Sequence, residues 1–298
     1  MQIRKLNLER FMSGFFFICA LVSIAALVLI TLFLVFNSLP AFSEIGIWQF
    51  ITGRSWTPTN TPPAFGILPM IVGSTITTAI AVIIGVPIGL FTAIFLAYMC
   101  PKVLYKIFKP AVNLLAGIPS IVYGFFGLQV IVIFIRNISQ TLTSGGTGLS
   151  LLSAGILLGI MILPTIIVIS EASLKAIPKN YYEGALALGA SHTRTVFAVI
   201  VPAAKSGIFA AVILGIGRAI GETMAVVMVV GGQAIMPYVW GSVPLGIMRG
   251  GRTLTANIVM EMGYAADLHR YAIIATAVVL LLFVLIINLI FNAFNKRR

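Results

Sequence analysis

Six apolar runs, each about as long as a bilayer core is thick, restrict this chain more than any other feature. They cover residues 11–36, 67–98, 111–135, 149–169, 207–230 and 271–291, and a helix needs about 20 apolar residues to cross the hydrocarbon region. Backbone amides and carbonyls in lipid must pair within their own segment, so runs of this length predict helices. The short alternating strands that a barrel would need are absent. The expected fold class is therefore an all-α membrane protein with six transmembrane helices. Only 9% of the residues are charged and 60% are hydrophobic, against roughly 25% charged in soluble domains. Run 11–36 is too long for a cleaved leader and has no clear small-x-small site, so it reads as a retained span at the periphery.

The formal charge of +12 would suit a nucleic-acid binder if it were gathered on one face. Its distribution speaks of topology instead. With the N-terminus inside, the inner segments carry Arg4, Lys5, Arg10, Lys102, Lys106, Lys109, Lys175, Lys179, Arg194, Lys205, Lys296, Arg297 and Arg298. The outer segments carry Arg54, Arg136, Arg249, Arg252 and Arg270, with Arg218 left in the membrane. This excess follows the positive-inside rule, so both termini are expected in the cytoplasm, with no nucleic-acid partner. Cys19 and Cys100 are far apart in that topology and support neither a disulfide nor a metal site. His192 and His269 fall on opposite faces.

Between the fourth and fifth runs lies a polar loop, residues 171–206, which the charge count places in the cytoplasm. Pro178 suits the start of a short helix over 179–188 carrying Glu183, and Gly189 permits a sharp exit. Arg194 then opens an amphipathic segment whose Val196, Val199 and Ile200 recur at helical spacing, up to Pro202. A loop so shaped offers a handle to a soluble partner; an ordinary amphipathic loop is the plainer alternative.

Several intramembrane residues stand out. Pro87, flanked by Gly85 and Gly89, predicts a kink in the second run. Gly117-Ile118-Pro119-Ser120 predicts a break in the third, tolerated only where protein or a watery cavity satisfies the backbone; Ser120 and Tyr123 bring hydroxyls there, for a substrate or simply for a buried kink. In the fifth run Arg218 and Glu222 are four residues apart, which on a continuous helix places them on one face. Each costs about 2.5 to 3.5 kcal/mol at the bilayer centre, so they are expected to face inward, as a substrate path or as a self-neutralising pair. Gly217 and Gly221 form a Gly-x-x-x-Gly step suited to a close helix neighbour. Outside, Trp48, Phe50 and Trp56 fit an aromatic belt or a docking surface for an external partner. Residues 137–148, with Gly145-Gly146, read as a flexible outer loop. Arg249, Arg252, Thr253 and Thr255 form a basic, hydroxyl-rich cluster before a short helix over 256–262.

No paired carboxylates in a pocket, no Ser/His/Asp set and no phosphate-binding loop sequence occur, so no ATP hydrolysis or other enzymatic activity is expected of this chain. The polar loop resembles the EAA loop of ABC importer permeases, through Glu183, Gly184, Ala185, Gly189, Val199, Val201 and Pro202. Gly184 departs from the pattern's first alanine, at up to about 1 kcal/mol of helix propensity. Further blocks, FGILP (65–69), AGIPSIVYGFFGL (116–128), ILPTI (162–166), EGALALGA (183–190), GRAIGETMAVVMVVG (217–231) and RTLTANI (252–258), resemble the PstC-type permease family of bacterial phosphate importers. The resemblance implies a MetI-like type I importer fold, with residues 1–66 as a preceding tail, span and outer segment, 67–292 as the permease domain and 293–298 as a basic tail. It implies phosphate as substrate and assembly with a PstA-like sister permease, two PstB-like cytoplasmic ATPase subunits and a PstS-like external phosphate-binding protein. No cofactor is expected on this chain, ATP and magnesium being used by the partners. It implies a substrate path through Arg218 and Glu222, to which the residues add Ser120, Tyr123, Arg252 and Thr253, and an ATPase contact through Glu183, Gly184, Ala185, Gly189 and Pro202. Another oxyanion such as sulfate or molybdate, the sister subunit's place in the pore, or a stand-alone channel or secondary carrier remain as alternatives.

Overall fold

Two helices, α3 (Leu68–Ile94) and α7 (Leu151–Lys175), form the axis on which the rest of the chain is hung. They pack closely because small residues let their backbones meet. A Cβ on Gly85 or Gly89 of α3 would overlap Ile162 or Ile166 of α7, and one on Gly155 of α7 would overlap Ile80 of α3. Apolar burial drives little helix association in lipid, so such close packing must supply the attraction. Leu157, Leu158, Met161, Ile162 and Ile166, all on α7, are at most 2% exposed and centre the main core.

The computed structural model describes residues 2–143, 146–237 and 246–296. Gly145 of the expected flexible loop and Arg297 and Arg298 of the basic tail lie outside them. Among the described residues five helices are long and apolar enough to cross a membrane: Phe11–Ile45, Leu68–Met99, Ser120–Thr141, Leu151–Lys175 and Asp267–Ile290. A sixth arises only if the bent pair His192–Ala203 and Lys205–Gly221, which meet at 70°, is counted as one. The first belongs to α1 (Gln2–Ile45), largely exposed and packed beside the last helix, as a peripheral span should be.

Two expectations need correction. The third crossing begins at Ser120, not near residue 111, because Ile118 and Pro119 are extended and divide α4 (Lys102–Gly117) from α5 (Ser120–Phe126). Proline disfavours helical backbone in the residue before it, and this residue obeys. The helix then runs through a widened turn, Gly127–Val132, into α6 (Ile133–Thr143), so the first half of the expected loop 137–148 is helical. Helix α3 contains Pro87 and runs on through it.

At the end of the bundle opposite Glu183, α2 (Ile47–Thr52) precedes a minimal antiparallel hairpin of β1 (Trp56–Thr57) and β2 (Ala64–Phe65), in which Trp56 faces Phe65. Phe50 is wholly buried and Trp56 is 5% exposed, so they build a core with Phe65 and Leu254 rather than an aromatic belt; Trp48, 79% exposed, alone of the three is free for one. Gly53 and Gly66 clamp this cap, each filling the space a Cβ on the other would need.

These contacts make a prediction. Gly66→Ala should lower stability by about 1 to 3 kcal/mol, because the added methyl meets the Gly53 backbone, which cannot rotate away. Gly217→Ala, which meets open space, should leave the thermal midpoint of the detergent-solubilised chain unchanged or slightly raised. Equal midpoints for the two variants, followed by tryptophan fluorescence, would contradict the clamp.

Candidate functional site

The polar residues at membrane depth gather around a second helix break. Helix α11 (Lys205–Gly221) stops at Gly221, Glu222 is extended with φ −71° and ψ 128°, and α12 (Met224–Val229) resumes after Thr223. Glycine at 217 and 221 weakens the last turn, and the Glu222 carboxylate rewards the break by accepting a hydrogen bond from the Ala225 amide at 3.4 Å. The expected shared face of Arg218 and Glu222 is therefore lost: a four-residue spacing aligns side chains only while the helix continues. No ion pair joins them among the described residues. Instead, Arg218 Nη1 donates to Thr165 Oγ1 of α7 at 3.1 Å.

The two breaks lie side by side, since Gly124 of α5 packs against Ala225 and Met228 of α12. Tyr123 is 5% exposed, and its hydroxyl donates to the Leu115 carbonyl at 2.8 Å, satisfying a group that the first break frees. It is thus a brace across that break. Ser120 opens α5, half-buried, with no side-chain partner among the described residues.

Arg252 and Thr253, expected along the same path, serve different ends. Helix α13 (Leu254–Glu261) is capped by Thr253, whose hydroxyl accepts from the Ala256 amide at 3.1 Å. The Arg252 guanidinium is engaged through two of its nitrogens: Nε donates to the Gly232 carbonyl at 2.8 Å, and Nη1 to Asn257 Oδ1 at 2.9 Å and to Glu261 Oε1. Glu261 Oε2 also accepts from Trp56 Nε1 at 2.7 Å and lies 2.8 Å from Nε2 of His269, on α14 (Asp267–Lys296). Arg252 is therefore a pin holding the hairpin, α13 and α14 together, and a poor candidate for contact with a passing anion. Thr253 remains near the break through Thr255, which it meets at 3.0 Å and whose hydroxyl donates to the Glu222 carbonyl at 3.2 Å. Of the expected path residues, the structure thus brings Glu222 and Thr253 together.

The loop at the other end takes the expected form. Helix α8 (Lys179–Ala187) follows Pro178 and ends at Gly189, with φ +86°. Gly189 N bonds to Leu186 O at 2.9 Å and Ala190 N to Ala185 O at 3.1 Å, the paired closure that a left-handed glycine allows. Glu183 and Gly184 on its surface are exposed, and nothing approaches Gly184. Behind it, α9 (His192–Thr195) leads through a widened turn, Val196–Ile200, into α10 (Val201–Ala203), which holds Pro202. Val196 and Ile200 are wholly buried against Ala93, Ile94 and Leu174 at the ends of α3 and α7. Tyr182 stacks on Tyr98 of the turn Phe95–Met99 after α3 and places its hydroxyl 2.5 Å from His192 Nδ1. The exposed helix is therefore held rigidly on the bundle.

Sequence reasoning missed Glu171, which is 2% exposed at the foot of α7. Its Oε1 accepts from Tyr105 at 2.8 Å and Lys175 at 2.7 Å, and its Oε2 from Lys109 at 2.6 Å. Lys175 also donates to the Tyr105 hydroxyl at 2.9 Å. This network ties α4 to the last turn of α7, and the first residues of the expected loop, 171–175, are part of that helix. The four-residue spacing of Glu171 and Lys175 was visible in the sequence; the two partners from α4 were not.

Comparison with known proteins agrees with this architecture. The model of the family "Binding-protein-dependent transport system inner membrane component" matches residues 85–298. The probable ABC transporter permease protein YqgH of Bacillus subtilis (strain 168) is 39% identical over 284 residues, 94% of this chain and 88% of the relative. The phosphate transport system permease protein PstC of Mesorhizobium japonicum is 34% identical over 260 residues, 82% of this chain and 76% of the relative. Among solved structures, an inward-facing form of the MetNI methionine ABC transporter superposes with TM-score 0.53 at 20% identity, covering 78% of this chain and 94% of that one. That last likeness concerns the fold, which is MetI-like.

The Glu171 network predicts a stability difference. Glu171→Gln should cost about 1 to 3 kcal/mol, the range for leaving buried hydrogen-bonding groups poorly matched, and should lower the thermal midpoint of the purified chain. Glu183→Gln, on an exposed residue outside any ion pair here, should shift stability by less than about 0.5 kcal/mol. Indistinguishable midpoints would show that the network contributes nothing to the foot of α7.

Proposed function

Since the chain belongs to the family of binding-protein-dependent transport system inner membrane components, we propose that it forms, with a sister permease, the path by which an ATP-driven importer moves inorganic phosphate. Membership makes it a multi-pass inner-membrane ABC importer permease subunit, a transport component rather than an enzyme. The observation that carries the finer reading is the set of polar groups at the α11–α12 break, in a chain about a third identical to phosphate permeases. Arg218 supplies fixed positive charge at membrane depth, where an anion would otherwise lose its hydration uncompensated. Held by one neutral hydroxyl, its guanidinium keeps donors free for phosphate oxygens.

In this reading α8 docks on a cytoplasmic ATPase subunit of the PstB kind, with Glu183 as its charged contact. ATP and magnesium act on a pair of such subunits, and this chain binds no cofactor of its own. Both termini are then cytoplasmic, in keeping with the excess of lysine and arginine on that side. The hairpin end faces an external phosphate-binding protein of the PstS kind, and a PstA-like sister permease completes the pore. Rigid seating of α8 through Tyr182, Val196 and Ile200 transmits motion of the ATPase to the ends of α3 and α7.

Two predictions test the reading. Glu183→Lys should leave a folded, membrane-inserted chain that no longer couples; normal recovery of the ATPase subunits together with normal uptake would refute the docking role. Arg218→Gln should abolish phosphate uptake at normal expression in cells lacking the native permease, while Arg218→Lys, which keeps the charge and loses the planar fork, should retain part of it. Because Arg218 and Glu222 are not paired, adding Glu222→Gln to Arg218→Gln should restore nothing. Wild-type uptake by that double variant would overturn conduction through Arg218.

A further inference from the structure

Helix α4 carries three faces of different chemistry, and only the first is fully matched by other described residues. Tyr105 and Val112, seven residues apart, turn toward α7: the tyrosine hydroxyl donates to Glu171 Oε1 at 2.8 Å, and Val112 is buried with Ile167. The second face is apolar and uncovered. Val103 and Ile107, four residues apart, are 73% and 61% exposed, and Leu114 continues the row toward Ile121 and Phe125 of α5, which are exposed as well. The third face is basic, with Lys102, Lys106 and Lys109 recurring at steps of four and three residues. Its charge is not balanced. Helix α4 contains no aspartate or glutamate, and Glu171, which accepts from both Lys109 and Lys175, offsets only one of those two. Lys102 and Lys106 are exposed and join no ion pair among the described residues.

An unbalanced basic row beside an uncovered apolar row selects its partner. A soluble acidic protein would meet the lysines and leave Val103 and Ile107 in water. Hydrocarbon alone would cover those two and leave the lysines without a counter-charge. An anionic phospholipid satisfies both rows at once, with its headgroup phosphate in reach of the long lysine stems and its acyl chains against the apolar side chains. Each unpaired lysine at a negatively charged leaflet strengthens association about fivefold.

We propose that α4 is an interfacial anchor that binds an anionic phospholipid, with the headgroup phosphate held by Lys102 and Lys106 and the acyl chains lying over Val103, Ile107 and Leu114. The lipid belongs to the leaflet at the foot of α7, which is the cytoplasmic one in the topology proposed above. Lys109 stays with Glu171, so the lipid seats α4 against a network that already ties it to α7. The site does not depend on which substrate the importer carries.

The test uses the complete importer, cysteine-free except for Val103→Cys labelled with bimane, in nanodiscs that mix phosphatidylcholine with phosphatidylglycerol. One lipid or the other is brominated on its acyl chains, so quenching of the label reports which of them occupies this position. Brominated phosphatidylglycerol should reach half-maximal quenching at a share about tenfold lower than brominated phosphatidylcholine, the scale set by two lysines at an anionic surface. Lys102→Gln combined with Lys106→Gln should bring the two lipids to within about twofold of each other. Lys102→Arg combined with Lys106→Arg keeps both charges and should keep the preference. Neither lysine enters the Glu171 network, so both double variants should assemble with the wild-type thermal midpoint. High salt should weaken the preference by screening, and millimolar inorganic phosphate should leave it intact. Equal quenching by both lipids without the lysine changes, an unchanged preference in the glutamine variant, or loss of the preference to inorganic phosphate would overturn the lipid site. Quenching by neither lipid would overturn it too, because Val103 would then be covered by another subunit. Each of these failures would leave the transport reading standing.

Discussion

A helix broken inside a membrane must find protein partners for the backbone groups it releases, because lipid offers none. This chain breaks twice, at Ile118-Pro119 where the third crossing begins and at Glu222-Thr223, and the rest of the bundle is arranged to absorb the consequence. Tyr123 returns a hydroxyl to Leu115, Thr255 reaches the Glu222 carbonyl, and Gly124 lets α5 lie directly against α12. The close α3–α7 packing makes this possible. Two helices held backbone to backbone provide a fixed wall, so the broken segments can lean on it without the bundle opening.

The buried charges follow a parallel economy. Glu171 and Glu261, each under 5% exposed, are bracketed by cations and hydroxyl or ring donors from different helices. Burying a carboxylate is expensive unless its lone pairs are filled, and these two are filled. Each consequently joins elements distant in sequence, Glu171 at the foot of α7 and Glu261 under the hairpin. The polar groups at the second break are treated differently: Arg218 holds one neutral hydroxyl and Glu222 one long contact to an amide.

Much of this was legible in the sequence, and the failures have physical causes. Apolar run length located the crossings, because the bilayer sets one length for all of them. The α8 loop could be read almost residue by residue, since Pro178 and Gly189 act through local backbone geometry alone. Arg218 and Glu222 were placed on one face wrongly because periodicity presumes an unbroken helix, and the same glycines that suggested close packing also loosened the turn between them. Arg252 looked like a free cation because its carboxylate partner lies nine residues away and the indole sharing that carboxylate lies 205 residues from it. Phe50 and Trp56 suggested an interfacial belt, since composition cannot tell a wet aromatic from one folded into a cap.

Satisfied and unsatisfied hydrogen bonding therefore separates two kinds of polar residue that composition alone confounds. Tyr123, Arg252 and Thr253 have their partners inside the chain, and a passing ligand would have to displace them. Arg218 and Glu222 have capacity to spare at the second break, and Glu183 has it on a surface helix that no other described residue covers. In a membrane this spare capacity is costly to keep, because water cannot freely fill it. Stability alone would favour a quieter set of side chains at the α11–α12 break. The contrast with the fully bracketed Glu171 and Glu261 shows that this fold can silence a buried charge with partners of its own.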